Sequence, residues 1–333
     1  MSAAERLAGL VVRLYRPSAR DGRHAEIVST VRDALDGQGR MGAARELADL
    51  AAHGVRHRMG LTASSPAGRT LAAAAPLAVA SGVALSALFL LCAEWDWRPP
   101  TLPDPDPPNR IGPFATLGPL VYLPWLLMLP AAAFGLRRLT RTLAALATAT
   151  SAALLPLTPP TGADRPPLWA LGALALFALI VLAAPADPLA PERPDPRPAP
   201  LLAAAMLAVL TVGVFADGSF WRVEHAPDIP DPIFMSRPLW YRYTAAAPLG
   251  TAIVVALVIG LLAALVLARR HPTLPVAVLV TAFPWAMVVY GLNAAESRPL
   301  HDAVLWTCLL AAAATAGGAA VRMRAARRVT DAR

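Results

Sequence analysis

Eight long apolar runs divide this chain of 333 residues, and its arginines lie almost entirely on one side of them. Runs of Ala, Leu and Val that approach 20 residues without a charge are typical of helices that cross the hydrocarbon core of a bilayer. Only 16% of the residues are charged, whereas soluble domains are about 25% charged. The sequence therefore predicts an all-α, polytopic helical membrane protein.

The apolar runs predict about eight transmembrane helices between two polar ends. A small domain over residues 1–62 precedes the spans, and a basic tail over residues 322–333 follows them. The third and fifth runs are short for a core of about 30 Å at 1.5 Å of rise per residue, so either could be re-entrant. The predicted spans lie near residues 70–92, 114–135, 142–157, 168–184, 201–215, 248–268, 274–293 and 303–321.

The arginines predict the orientation of the spans. With the N-terminus inside, 23 arginines fall in cytoplasmic segments and 7 in external ones, whereas the acidic residues divide 11 to 11. Because basic residues are retained on the cytoplasmic side, both termini are expected in the cytoplasm of a plasma-membrane protein. The net charge of +8 is then a topology signal, so we expect the lipid bilayer and no nucleic acid as a partner. The sequence leaves open whether copies of the chain form a homo-oligomer.

The N-terminal segment carries three short amphipathic stripes, which predict a minimal three-helix cytoplasmic domain. At about sixty residues such a domain is marginal alone, so we expect it to pack on the membrane or on a partner. The stripes comprise Leu7, Leu10, Val11 and Leu14, then Ile27, Val28, Val31 and Leu35, then Leu47, Leu50, Ala51 and Val55. The residues expected to dock a partner are Leu14, Tyr15, Ile27, Val31, Leu47 and Leu50.

The first stripe also carries a resemblance to known sequences. The segment Leu14-Tyr15-Arg16-Pro17, with Arg20, Arg23 and Glu26 after it, is similar to the start of a loose group of uncharacterised actinobacterial multi-spanning membrane proteins. Their cytoplasmic N-termini open with a Leu-Tyr-Pro, Arg-rich helical segment, and some are found beside PadR-like transcriptional regulators. The resemblance implies a docking module for a cytoplasmic regulatory protein, and it supplies no catalytic residue.

An acidic, Pro-rich segment follows the first predicted span. Residues 94–113 hold Glu94 and three aspartates among many prolines. Proline at this density favours extended backbone that cannot build a core. We interpret the segment as a solvated acidic loop, with the attraction of cations as the alternative.

A second outer loop, residues 216–247, contains a weaker candidate for a metal site. Imidazole and carboxylate side chains lie close together there, and two more begin the last span, so they could bind a divalent metal. Their spacing matches no ligand signature, and an interfacial aromatic loop accounts for the same residues. The candidates are Glu224, His225, Asp228, His301 and Asp302. No cofactor is predicted.

The interior of the predicted spans limits the function. No Asp, Glu, His or Arg lies near the middle of any span, which weakens an ion-coupled transporter, and no P-loop is present. Two tryptophans follow prolines inside spans, at Pro124-Trp125 and Pro284-Trp285. Such a pair indicates either a hinge or cavity wall, or packing against neighbouring helices.

Three functions stay open at this point. The preferred one is a membrane-anchored regulatory or sensory protein whose N-terminal helices dock a cytoplasmic partner. The second is a permease, or an accessory subunit of an exporter, that moves apolar compounds with a separately encoded transporter partner. The third is a membrane enzyme that uses Glu224, His225 and His301 on its outer face, although an enzyme is not what we expect.

Overall fold

The structure, a computed structural model, describes a little over half of the chain. The described residues are 9–11, 13–15, 25–26, 28–29, 33, 40–94, 114, 116–156, 165–185 and 246–293. All regular elements among them are helices, so the all-helical prediction is confirmed. They are α1 (Arg40–Met59), α2 (Pro66–Phe89), α3 (Pro119–Ala133), α4 (Arg137–Leu154), α5 (Leu168–Ala183), α6 (Ala246–Leu267) and α7 (Leu274–Asn293). A π-helical turn, Leu90–Glu94, continues α2.

The chain divides into two compact units, Met1–Leu71 and Ala72–Arg333. The boundary falls inside α2, so this helix begins in the first unit and ends in the second. The sequence predicted a first domain over residues 1–62 and the first span from residue 70. The predicted spans at 201–215 and 303–321, and the basic tail, lie outside the described residues.

The first unit is built around a small core. Val11 and Tyr15 are buried, and Val28, Leu47 and Leu50 pack against them from the other two predicted stripes. Each of the three stripes thus supplies at least one side chain to the core, as amphipathic helices would.

Two stripe residues do not behave as predicted. Leu10 is 59% exposed and Val55 is 40% exposed, although helical spacing assigned both to the core face. Tyr15, which follows the last residue of the first stripe and lies one helical turn after Val11, fills the core in their place. A large aromatic ring closes a core of this size with few aliphatic side chains, and Leu10 and Val55 stay at the surface.

Local signals explain where α1 ends and α2 begins. Gly60 adopts a positive φ of 73°, and the amide of Leu61 donates to the carbonyl of Arg56 at 2.8 Å, as in a Schellman motif. Ser65 then caps α2, because its Oγ accepts the amide hydrogen of Gly68 at 2.9 Å. Pro66 at the first helical position has no amide N–H and therefore needs no hydrogen-bond acceptor.

Three helices are long and apolar enough to cross a membrane, namely α2, Gly250–Leu267 of α6 and Leu274–Gly291 of α7. Helices α3 and α5 are apolar but shorter. These five coincide with the predicted spans near 70–92, 114–135, 168–184, 248–268 and 274–293.

The third predicted span, 142–157, is different. The observed helix α4 begins five residues earlier, at Arg137, and is too polar to belong with the apolar helices. Its buried side is formed by Thr140, Leu143, Ala144, Ala147, Ser151 and Leu154, while the residues between them are largely exposed. The sequence prediction located the apolar part of this helix and missed its basic first turn.

Helix α2 is the most enclosed of the long apolar helices. In the most apolar stretch of each, 67% of the residues are buried in α2, 39% in α7 and 17% in α6. Small residues of α2 receive large aromatic rings: Gly82 lies against the six-membered ring of Trp125, and Ser81 accepts a hydrogen bond from Trp285 Nε1 at 3.0 Å. Both tryptophans are fully buried and contact α2, as the packing interpretation of the two Pro-Trp pairs predicts.

The order of contacts shows which helix ends lie together in the second unit. Helices α5 and α7 are antiparallel, because Trp169 meets Gly291 and Gly172 meets Met287. The end of α5 therefore lies level with the start of α7. Arg141, in the first turns of α4, donates to the carbonyl of Ala184 at 2.8 Å, so the start of α4 lies beside the end of α5.

Six basic residues of the second unit gather at this one end. The turn between α6 and α7 leads directly into the start of α7 and carries Arg269, Arg270 and His271. The first turns of α4 carry Arg137, Arg138 and Arg141. We call these six residues the basic end.

A glycine exchange on α2 tests this packing. Gly82→Ala places a methyl group where the ring of Trp125 lies, so we expect overpacking to lower the free energy of unfolding by about 1–3 kcal/mol. Gly260→Ala on α6 is the matched control, because nothing lies within 4 Å of its added Cβ. Unfolding by SDS in mixed micelles measures both variants, and equal stability of the two would contradict the contact.

Candidate functional site

Glu94 is a buried carboxylate where the first apolar helix ends. It is the last residue of the π-helical turn after α2, and its exposed fraction is 0%. The solvated acidic loop predicted from the sequence is therefore wrong for Glu94, the first residue of that segment. The remainder of the segment, residues 95–113, lies outside the described residues.

Thr116 donates two hydrogen bonds to this carboxylate. Its backbone amide reaches Oε2 of Glu94 at 2.8 Å, and its hydroxyl reaches Oε1 at 2.6 Å. An ionised carboxylate accepts and cannot donate, so both bonds suit the charged form. Charge-assisted bonds of this length are roughly twice as strong as neutral ones. They join the end of α2 to the segment that leads into α3.

The same hydrogen-bond chain reaches the first turn of α3. The hydroxyl of Thr116 accepts the amide hydrogen of Gly118 at 2.9 Å, and Gly118 is the N-cap residue of α3. Gly118 has no side chain to cap the helix, so Thr116 accepts its amide hydrogen and Glu94 brings a negative charge close to that end. A negative charge there is stabilised by the helix dipole.

Space around the carboxylate is limited. A Cβ on Gly118 would collide with Oε1 of Glu94 and would also meet the ring of Tyr122. The ring of Phe89 lies 5.9 Å from that of Tyr122 and 5.8 Å from that of Trp169, measured between centroids. Glu94 thus sits beside a cluster of aromatic rings from α2, α3 and α5.

This arrangement can hold one charge in a place that water does not reach freely. Among the described residues of the second unit, Glu94 is the only acidic residue. A buried carboxylate costs several kcal/mol to desolvate unless hydrogen bonds compensate for it, and here Thr116 supplies two. Chemically, such a group can release and take up a proton, or face a single cation.

Further polar atoms line the interior between the helices. The hydroxyl of Ser86 and Nε1 of Trp125 are buried and have no hydrogen-bond partner, whereas Ser81 and Trp285 satisfy each other. The two serines belong to α2, and each tryptophan follows a proline in another helix. Helix α2 therefore carries two buried serines of this interior, and the π-helical turn that continues it ends at the buried Glu94.

The sequence-predicted metal candidates cannot be placed. Glu224, His225, Asp228, His301 and Asp302 all lie outside the described residues. Within the part of the chain that the structure describes, no group of three or more His, Cys, Asp or Glu side chains could hold a metal ion.

Three of the predicted docking residues that the structure describes belong to the small core of the first unit. Tyr15 is 3% exposed, with its ring 5.8 Å from those of His53 and His57, and Leu47 and Leu50 are partly buried against it. Leu14 is half-buried. The other two docking candidates, Ile27 and Val31, lie outside the described residues.

Sequence reasoning missed the role of Glu94. Two sequence features could have indicated it. Glu94 lies within one turn of an apolar run, and a Thr-x-Gly-Pro sequence stands at the start of the next helix. Neither signal pairs the two segments, because 21 residues separate Glu94 from Thr116.

The hydroxyl of Thr116 gives a sharp test of the site. Thr116→Val removes one donor from a buried carboxylate, so we expect a loss of about 1–3 kcal/mol in the free energy of unfolding. Thr116→Ser keeps both the hydroxyl and the backbone amide and serves as the matched control. SDS unfolding compares them, and a serine variant as unstable as the valine variant would argue against the hydroxyl bond.

Comparison with known proteins adds no assignment. No protein-family model, no curated protein and no solved structure matches this chain. What the protein does has to be inferred from its own residues.

Proposed function

We propose that this protein is a membrane-anchored sensory or regulatory protein whose N-terminal unit binds a cytoplasmic partner. One observation carries the proposal: α2 crosses the boundary between the two units, since it begins at Pro66 in the first unit and continues through the π-helical turn to Glu94 in the second. One continuous run of helix thus leads from the N-terminal unit to a buried charge.

The membrane topology belongs to the same proposal. We propose eight spans with both termini in the cytoplasm, so that the N-terminal unit and the basic end face inward. The support is the 23-to-7 division of arginine along the sequence and the gathering of six basic residues at one end of the described helices. Glu94 then lies toward the outer side.

Glu94 is the proposed sensing group. Ionisable residues enclosed in membrane domains are costly and usually functional, and π-helical turns often occur at functional sites. Loss of the charge on Glu94, or the approach of a cation, would change its bonds to Thr116. Because the carboxylate terminates α2, such a change acts directly on the helix that leads back to the N-terminal unit.

The proposed output surface is the exposed apolar side of α1. Val55 and Met59 are 40% and 64% exposed and lie four residues apart, hence on one face of the helix. The interior residues Tyr15, Leu47 and Leu50 support this face from within the small core. A partner would bind the exposed pair and would not need to open the core.

Photo-crosslinking in the full-length protein tests the proposal. A photoreactive residue at Val55 or Met59 should capture one specific cytoplasmic protein, whereas the same residue at Ala263, an exposed position of α6, should not. Glu94→Gln keeps the shape of the side chain and removes its charge, so it should change the crosslinking yield at Val55 and Met59. Capture of no specific protein would refute the docking function, and an unchanged yield in the Gln variant would refute the sensing role.

The permease is the second candidate, and Glu94 favours it too. A proton-linked carrier of lipophilic cations could use a buried carboxylate beside aromatic rings. The two candidates differ in one result. Transport predicts that Glu94→Gln changes the sensitivity of cells to such compounds while crosslinking at Met59 stays the same.

A further inference from the structure

We infer that the basic end is a binding surface for the headgroups of anionic phospholipids. It consists of Arg137, Arg138, Arg141, Arg269, Arg270 and His271, which two adjacent helix connections bring to one end of the second unit. The inference stands apart from the proposed sensory function, because it concerns the opposite end of the helices from Glu94.

Within the described residues, no acidic side chain balances the charge at this end. The described segments 116–156, 165–185 and 246–293 contain no acidic residue, and the described carboxylate of this unit, Glu94, lies at the other end of α2. The guanidinium groups therefore attract anions from outside the described helices. Anionic headgroups in the membrane surface supply negative charge at such a position.

The five arginines of the basic end divide into a structural pair and an available set. Arg137 and Arg141 donate to the carbonyls of Pro185 and Ala184 at 3.2 and 2.8 Å, where they cap the end of α5 and face its negative dipole end. Arg138, Arg269 and Arg270 are exposed, and within the described residues their guanidinium groups make no hydrogen bond. These three arginines are the ones that can bind a phosphate group.

The apolar surroundings of the basic end favour a lipid over an acidic protein. Phe134 is 79% exposed just before Arg137, and Val266 is 78% exposed just before Arg269. Leu139 is also exposed on the first turn of α4. A phospholipid fits such a surface, because its charged headgroup can bind the arginines while its acyl chains contact the exposed apolar side chains near them.

Native mass spectrometry of the full-length protein tests the inference. The protein is equilibrated in micelles that contain equal amounts of phosphatidylglycerol and phosphatidylcholine, and the ratio of the two bound lipids is measured. We expect the wild type to enrich phosphatidylglycerol. The triple variant Arg138→Gln, Arg269→Gln and Arg270→Gln should lose this preference, by roughly fivefold for each arginine removed.

Two control variants show whether the lipid preference depends on the charge of these arginines and on their position, and not on a general loss of folding. The triple variant Arg138→Lys, Arg269→Lys and Arg270→Lys keeps the charges and should keep the enrichment. Arg165→Gln removes one arginine that precedes α5, at the opposite end from the basic end, and should also keep it. The inference fails if the triple Gln variant still enriches phosphatidylglycerol, or if Arg165→Gln loses as much enrichment. It also fails if the Gln variant loses a bound acidic protein while its lipid ratio is unchanged.

Discussion

The hydrogen bonds between Thr116 and Glu94 fix where the first two apolar helices of the second unit meet. A charged group enclosed in a membrane protein is tolerated only when the protein supplies its partners, because lipid supplies none. Here the partners come from the segment before α3, and the same threonine hydroxyl accepts from the N-cap residue of that helix. One carboxylate therefore ends α2, orients the start of α3 and leaves no room for a side chain on Gly118.

Packing along α2 depends on contacts between small residues and large aromatic ones. Helices in a bilayer gain little from hydrophobic association, so close approach of backbones and a few hydrogen bonds decide which faces meet. In this protein small residues accept large ones: Gly82 accepts Trp125, Gly291 accepts Trp169, and Ser81 pairs with Trp285. Because each contact joins a different pair of helices, the aromatic residues hold the bundle together and its glycines set the registers.

The local features of the fold could be predicted from the sequence, and the long-range contacts could not. Apolar runs located five of the described helices, because length and composition alone determine whether a helix suits a membrane. For helix α4 the apolar run located only the later part of the helix, because its first turns are basic and their role depends on the contact of Arg141 with the end of α5. Helical spacing placed Leu10 and Val55 in a core that Tyr15 fills, because spacing describes one helix and burial depends on several.

Glu94 shows the same limit at the candidate site. Its sequence neighbours are acidic and Pro-rich, which suggested solvent, whereas its burial depends on a threonine 22 positions later. A double-mutant cycle tests this pairing most directly. Glu94→Gln, Thr116→Val and the double variant are compared with the wild type by SDS unfolding of the full-length protein. Side-chain bonds between membrane helices average about 0.6 kcal/mol, and a buried charge-assisted bond should exceed that, with a coupling energy of about 1–2 kcal/mol. Additive effects within about 0.5 kcal/mol would contradict the pairing.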